Sequence, residues 1–325
     1  MAVDSTRVAV VICAYTENRW NELVASVASV RAQTTPPGQI VVVVDHNPAL
    51  LSRAREYFRD VTVVENGEAR GLGGARNSGV RASRGDVVAF LDDDAVAEPE
   101  WLENLLLDYR DPNVMGVGGA TLPQWQGERP AWFPEEFGWV VGCSYRGQPE
   151  SRAAVRNLHG CNMSFRRQVF DSIGGFRLGY GCDETEFCIR LQQKMAGKQV
   201  VYEPAARIKH LVTRERATLK YFLTRCHFEG GSKAVVSWIA GSRDGLASER
   251  SYTFQTLPRG IVLGLRDALA GAGAAGLARA VVIIMGLGAT TLGYVRGKFS
   301  TGAAARKRGW YDREGGRAAS GAASE

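Results

Sequence analysis

Short β-branched runs alternate with stretches of helical spacing through the first third of the chain. Val8-Ala9-Val10-Val11-Ile12 is an apolar run that ends in Tyr15-Thr16-Glu17-Asn18, and apolar residues then return at Leu23, Val27 and Val30 between Trp20 and Ala32. The pattern predicts a strand, a loop and a helix. Pro36-Pro37-Gly38 breaks the chain, Ile40 to Val44 reads as a second strand closing on Asp45, Ala49 to Phe58 as a helix, and Val61 to Val64 as a third strand. Gly73 to Ala82 predicts a helix opened by glycines, Val87 to Leu91 a fourth strand, and Pro99 to Tyr109 a helix with proline in its first turn. Continuous apolar strands alternating with helices predict an α/β fold, a parallel sheet covered on both faces.

Ligands of such sheets bind at the carboxyl ends of the strands, and the polar residues collect there. Tyr15 and Glu17 follow the first strand, Asp45 the second, and Asp92-Asp93-Asp94 the fourth. Three adjacent carboxylates leaving an apolar strand repel one another and need a cation or strong donors. A divalent metal with an oxygen-rich shell, Mn2+ or Mg2+, meets that need and leaves room for substrate phosphates; a helix N-cap is the alternative. No GxGxxG follows the first strand and no GxxxxGK[ST] occurs, which argues against a dinucleotide oxidoreductase and a P-loop enzyme.

Six ordered segments carry a resemblance. They are Val10 to Tyr15, Ile40 to Asp45, Arg70-Gly71-Leu72-Gly73-Gly74-Ala75-Arg76-Asn77, the aspartate triplet, Gly160-Cys161-Asn162-Met163-Ser164-Phe165-Arg166-Arg167, and Asp183-Glu184-Thr185-Glu186-Phe187. Over about residues 7 to 215 the chain resembles a family 2 glycosyltransferase with the GT-A fold. The resemblance implies a nucleotide-diphospho-sugar donor over the strand ends, with a metal bridging its phosphates. By the same resemblance Ala14, Tyr15 and Glu17 match the loop that packs on the nucleobase, and Asp45 matches the acid that bonds a uracil. Arg70, Gly71, Gly73, Arg76 and Asn77 match the loop beneath ribose and phosphates. Asp92 or Asp93 would contact ribose or sugar, Asp94 would hold the metal with Asp92, and Arg76 would help to stabilise the leaving diphosphate.

The acids at 183–186 precede a helical pattern that ends near Gly197, and carboxylates also favour helix N-termini through the dipole alone. In the family this pair is written Glu-Asp, with the aspartate as general base. Aligning through Phe187, Cys188 and Arg190 puts Glu184 on that position with Asp183 before it, so both stand as candidates for the inverting base. His210 closes the strand-like stretch from Tyr202 and matches a histidine that serves some relatives as a further metal ligand. His159 is placed on the acceptor side. Trp125, Trp132, Phe133, Phe137 and Trp139 form an aromatic loop suited to sugar or lipid, or simply to packing.

Beyond residue 256 the chain changes character. Leu257 to Leu265, Ala268 to Ala278 and Ala280 to Val295 are apolar, and the last has 16 residues without charge, short of the roughly 20 of a clean span. A membrane-lying segment, a buried helix pair and a true span are the alternatives, with the first fitting the flanking Arg279, Arg296 and Lys298. After residue 295, seven Lys and Arg stand against three acids, so this tail holds +4 of a net charge of +6 and is suited to an anionic membrane surface. At 45% apolar and 23% charged residues the chain as a whole is that of a folded protein, with no broad nucleic-acid footprint. Six cysteines without a CxxC pair, and no secretory pattern before Arg7, give the expectation of reduced thiols and the cytoplasm.

The sequence therefore predicts three regions: a GT-A catalytic domain at residues 1–235, a helical, membrane-associating appendage at 236–300, and a disordered basic tail at 301–325. Ser232 to Tyr252 reads as an exposed connection. The expected activity is that of an inverting, metal-dependent glycosyltransferase of hexosyltransferase type at the inner face of the cell membrane. It would move a sugar from a UDP-sugar or related donor to a hydroxyl of a glycan or lipid-linked acceptor, in cell-envelope or exopolysaccharide synthesis. The alternatives are a small-molecule glycosyltransferase and a non-catalytic scaffold that holds a nucleotide or glycan.

Overall fold

The computed structural model describes residues 7–177, 182–241 and 251–308. Its first half follows the apolar pattern: strand β1 (Val8–Ala14), helix α1 (Trp20–Arg31), β2 (Gln39–Val44), α2 (Pro48–Tyr57), β3 (Thr62–Glu65), α3 (Leu72–Ala82) and β4 (Val87–Asp92). β1 pairs in parallel with β2 and β4, and β2 with β3, so four strands point their carboxyl ends the same way. Helix starts differ from the periodicity by a residue or two for local reasons. At α2, the Asn47 side chain accepts the Leu50 N–H at 3.0 Å and Pro48 takes the first helical position. At α3, Gly71 enters with φ of +129°, a conformation that glycine alone adopts without strain.

The second half is β5 (Ala95–Ala97), α4 (Trp101–Leu107), β6 (Val114–Trp125), β7 (Ala153–Val155), β8 (Asn162–Arg166), α5 (Arg167–Ile173), α6 (Asp183–Lys194) and β9 (Gln199–Val212). α4 is shorter than the pattern predicts because a 3-10 turn at Asp108–Arg110 ends it. The strands join one nine-stranded sheet in the order β3-β2-β1-β4-β8-β6-β9-β5, with β7 beside β9. β8 runs antiparallel to β4 and β6, while β6 and β9 are parallel, so the sheet is uniformly parallel only over its first four strands. Gly119 is required in β6, because a Cβ there would overlap the Ala206 carbonyl of β9.

Each face of the sheet carries its own core. Leu23, Val27, Leu50, Trp101 and Leu105 fill one; Phe165, Phe170, Phe176 and Phe187 stack in the other. At roughly 1.5–3 kcal/mol for each large side chain, this burial holds the strand ends rigid.

Among the described residues, three α-helices follow: α7 (Leu219–Ala240), α8 (Leu257–Asp267) and α9 (Gly273–Arg308). The aromatic loop resolves as packing, since Phe133, Phe137 and Phe222 form a third core with Val282 and Ile283 of α9. The expected exposed connection at Ser232 is corrected: residues 232–240 are the last turns of α7, with Ser232, Ala234 and Val236 buried, because this face packs against neighbouring helices. α7 meets α9 through small residues. A Cβ at Gly230 would overlap the Thr290 carbonyl, and one at Gly293 the His227 carbonyl. The rest of the expected connection, 242–250, and the tail beyond Arg308 lie outside the described residues; residues 301–308 continue α9. Within Gly273–Ser300 an 18-residue stretch has a mean hydropathy of 1.7, so this helix is long and apolar enough to cross a membrane by length and composition.

Candidate active site

The parallel strand ends set the site. The Asp45 N–H donates to the Ala14 carbonyl at 2.8 Å and the Asn66 N–H to the Val44 carbonyl at 2.9 Å, so the loops after β1, β2 and β3 leave in register. Asp45 is buried and accepts from the Asn66 amide at 2.6 Å and the Gly71 N–H at 3.0 Å, tying the β2 end to the start of α3. Burial alone would raise its pKa, but those bonds and His46, 2.9 Å away, outweigh it and hold the carboxyl below its ordinary value. Tyr15 and Glu17 are exposed beside this loop and Arg70 is exposed before it, whereas Ala14 is core. Asn77 is structural in its contacts: its amide donates to Glu68 and the Phe176 carbonyl, and it accepts the Phe176 N–H at 2.8 Å.

The three aspartates occupy three environments. Asp92 faces Arg76 at 3.9 Å, and burial raises its pKa. Asp93 is buried against Arg19 at 3.0 Å, and burial outweighs that cation to push it up to about 7. Asp94 meets His210 Nε2 at 3.2 Å, Arg19 at 3.1 Å and Arg216 at 3.5 Å. Its burial, which would raise the pKa, is overcome first by the His210 hydrogen bond, and the carboxyl stays below its ordinary value while His210 rises above its own. Adjacent acids with separated pKa values mark a site built for charge.

Asp92, Asp94 and His210 offer one ligand atom each within 4.8 Å of one another, where the end of β4 leads into β5, which pairs with β9 at Ala95 and His210. Two hard carboxylate oxygens and one imidazole suit Mn2+ or Mg2+, with His210 releasing its proton on loading. His210 Nδ1 faces the Cys143 sulfur at 4.0 Å.

Arg76 joins this group to α6. Its side chain is 3% exposed, donates to the Gly160 carbonyl at 2.9 Å and lies 3.8 Å from Glu184. Arg76, Asp92, Glu184 and His210 line one cavity of about 570 Å³. Glu184, a quarter exposed into it, has a pKa raised by its enclosed position, which outweighs Arg76. Of the residues next to it in sequence, Thr185 and not Asp183 shares that lining, and Glu186 is bound to Arg190 at 2.8 and 3.0 Å, with Arg190 also donating to the Gly175 carbonyl. That clamp fixes the start of α6. His159 lines the same cavity, 2.8 Å from Gln148, and burial lowers its pKa to about 4, so it is a neutral ring. Sequence reasoning missed Arg19, Arg216 and Cys143. Charge balance demands cations near three aspartates, but only the fold selects these arginines.

Residues 9–174 match the sequence profile described as glycosyl transferase family 2. A glucosyl-dolichyl phosphate glucuronosyltransferase of Haloferax volcanii is 38% identical over 242 residues, 71% of this chain and 77% of that one. A pre-mycofactocin glycosyltransferase of Mycobacterium tuberculosis is 29% identical over 64% of this chain, which spans 44% of its length. Among solved structures, a mannosyltransferase from Pyrobaculum calidifontis in complex with GDP-Man and Mn2+ superposes over 89% of both chains with a TM-score of 0.56 at 19% identity. At that identity the likeness is one of fold.

Proposed function

The chain belongs to glycosyl transferase family 2 and is a glycosyltransferase of GT-A fold, and on that premise we propose an inverting, metal-dependent transfer from a UDP-sugar to a hydroxyl of a lipid-linked glycan. The observation that carries the reading is the meeting of Asp92, His210, Arg76 and Glu184 around one cavity, with Asp94 beside Asp92 and His210. Asp92, Asp94 and His210 would hold Mn2+ or Mg2+. A bound ion would neutralise the diphosphate as its bond to the sugar breaks. Arg76, already desolvated, adds a fixed positive charge beside the same leaving group. Tyr15, Glu17, Asp45, Arg70 and the glycines at 71 and 73 form the nucleotide side, with Asp93 kept in place by Arg19.

Glu184 is the base in this reading, ahead of Asp183, because it lines the cavity and faces Arg76. It takes the proton of the acceptor hydroxyl as that oxygen attacks the anomeric carbon from the face opposite the diphosphate, which inverts the centre. The acceptor class is supported by the lipid-linked substrate in the name of the Haloferax relative and by the apolar surface of α8 and α9. Residues 1–235 are assigned to catalysis and 236–300 to membrane contact at the cytoplasmic face, in cell-envelope or exopolysaccharide synthesis.

Calorimetric titration of UDP, GDP and dTDP, each with and without Mn2+, tests the donor side. Metal-dependent binding of UDP alone is expected. Preference for GDP or dTDP would replace the donor, and no binding of any of the three would turn the reading towards a scaffold.

A further inference from the structure

Asp94 has three basic partners, and they divide between its two oxygens. His210 Nε2 lies 3.2 Å from Oδ1, whereas Arg19 and Arg216 share Oδ2 at 3.1 and 3.5 Å. The two guanidiniums come from distant parts of the chain. Arg19 closes the 3-10 turn Glu17–Arg19 after β1, and Arg216 stands in the 3-10 turn Arg214–Ala217 between β9 and α7. Both side chains are part exposed, at 25% and 22%, so each meets solvent at the strand ends.

Their other contacts differ. Arg19 also donates to Asp93 at 3.0 Å and lies over the Tyr15 ring at 5.4 Å, so it keeps a carboxylate of its own whatever happens at Asp94. For Arg216, Asp94 is the only ion-pair partner among the described residues, and at 3.5 Å the contact is long. The turn that carries Arg216 is short and lies at the surface, with Arg214 and Glu215 exposed and the Arg216 N–H bonded to the Thr213 carbonyl at 3.0 Å. Arg76, buried and bonded to the Gly160 carbonyl, is fixed by comparison.

A metal and Arg216 therefore compete for one carboxylate. The donor set of Asp92, Asp94 and His210 fits Mn2+ or Mg2+. An ion held there sets two positive charges beside a guanidinium with no second carboxylate among the described residues, and partly buried like charges repel strongly at short range. An arriving anion relieves that repulsion. The diphosphate of a nucleotide donor is such an anion, and its oxygens accept from a planar guanidinium in the bidentate manner that suits arginine.

We propose that Arg216 switches between Asp94 and the diphosphate of the donor: it pairs with Asp94 before loading, then leaves that carboxylate to the ion and binds the phosphate oxygens. The inference rests on the metal-dependent, nucleotide-sugar reading above and assigns the coupling between its two ligands to one residue. Arg216 opposes the ion alone and supports ion and nucleotide together.

Full-length protein is titrated by calorimetry with Mn2+ alone, and with UDP under saturating Mn2+, or with GDP or dTDP where that nucleotide binds instead. R216Q removes the charge, binds Mn2+ alone at least about threefold more tightly, and binds the nucleotide with Mn2+ about tenfold more weakly. R216K keeps the weak binding of Mn2+ alone and part of the nucleotide affinity, since it carries the charge without the planar fork. The opposed signs identify the switch. A residue that only braces Asp94 would weaken both titrations on removal, and a fixed phosphate ligand would weaken the nucleotide and leave Mn2+ alone unchanged; either result overturns the proposal. Both effects in R19Q with none in R216Q would overturn it as well, by moving the switch to Arg19. Thermal midpoints check folding, and if R216Q melts early, R216M carries the same test with the same expected signs. Failure of the underlying reading is distinguishable, because it appears as absent metal-dependent nucleotide binding in the unaltered chain.

Discussion

The sheet and the C-terminal helices handle unfavourable surface in opposite ways. At the strand ends the difficult groups are buried carboxylates, and each is answered by a named partner: Asn66 and Gly71 for Asp45, Arg19 for Asp93, His210 and Arg216 for Asp94. In the helices the difficult groups are exposed and apolar, and among the described residues the protein leaves them unanswered. Four large apolar side chains are exposed before residue 219 and fourteen from there on. A cleft preloaded with compensated charge is prepared for a charged ligand, whereas an apolar face left open is prepared for an apolar one. On the proposed reading, one chain joins a site for a water-soluble phosphosugar to a surface for lipid.

The largest expected effect tests the acid nearest the boundary. Glu184→Gln keeps the shape and removes the base, so turnover should fall by about 10² to 10⁴ while metal-dependent nucleotide binding persists. Steady-state kinetics beside calorimetry reads both; full activity would move the base to Asp183. The pH dependence has a definite sign. Burial raises Glu184, so its active, deprotonated form is lost as pH falls through a value above that of an ordinary glutamate. The acid limb of kcat/KM should therefore lie above about 4.3, and a limb at or below it would count against Glu184.

Asp94→Ala should come next, with a loss of about 10² to 10³ in turnover together with the metal dependence of nucleotide binding. Retained Mn2+-dependent binding removes Asp94 as a ligand. The two variants sharpen the contrast inside the charged half: one loses chemistry with binding intact, the other loses both.

Much of that half was legible in the sequence because parallel strands buried on both faces are written as unbroken runs such as Val8 to Ile12 and Ile40 to Val44. The strand-end rule then brought Asp45 and the aspartate triplet to one edge without coordinates. β6 was not legible, since Gly116, Gly118 and Gly119 look like a loop until the close approach of β8 and β9 explains them. α7 was hidden for a related reason: its glycines at 230 and 231 serve α9, and its polar residues face a cavity rather than solvent. Partners distant in sequence, such as Arg216 for Asp94, follow only from the fold.

The apolar half can be broken without touching the cleft. Ile284 and Leu292 are 56% and 62% exposed on α9, so Ile284→Glu and Leu292→Glu cost little folding stability. If these side chains enter a bilayer, each substitution removes at least about 1.5 kcal/mol of favourable transfer, or about tenfold in partition to vesicles of phosphatidylcholine and phosphatidylserine. Sedimentation of vesicles with the full-length variants measures it. Unchanged partition would show that lipid does not cover this face.

The smallest effect distinguishes the two sides of α9 itself. Gly288 is exposed, and a methyl group added there would meet no other atom within 4 Å, whereas the same addition at Gly293 meets the His227 carbonyl of α7. A helix-interior glycine with open space gains about 0.4 to 1 kcal/mol on becoming alanine, largely by restricting the unfolded chain. Gly288→Ala should therefore raise the thermal midpoint slightly. Gly293→Ala should lower it by an amount equivalent to about 1 to 3 kcal/mol, because α7 and α9 must separate to admit the methyl group. Since α7 also carries Arg225, Glu229 and Lys233 into the cavity, the second change should disturb that cavity wall as well as the fold, and the first should leave it alone. If both alanines stabilised the protein equally, the close packing that links the apolar surface of α9 to the cavity-lining helix α7 would be absent, and the two regions would be neighbours in sequence only.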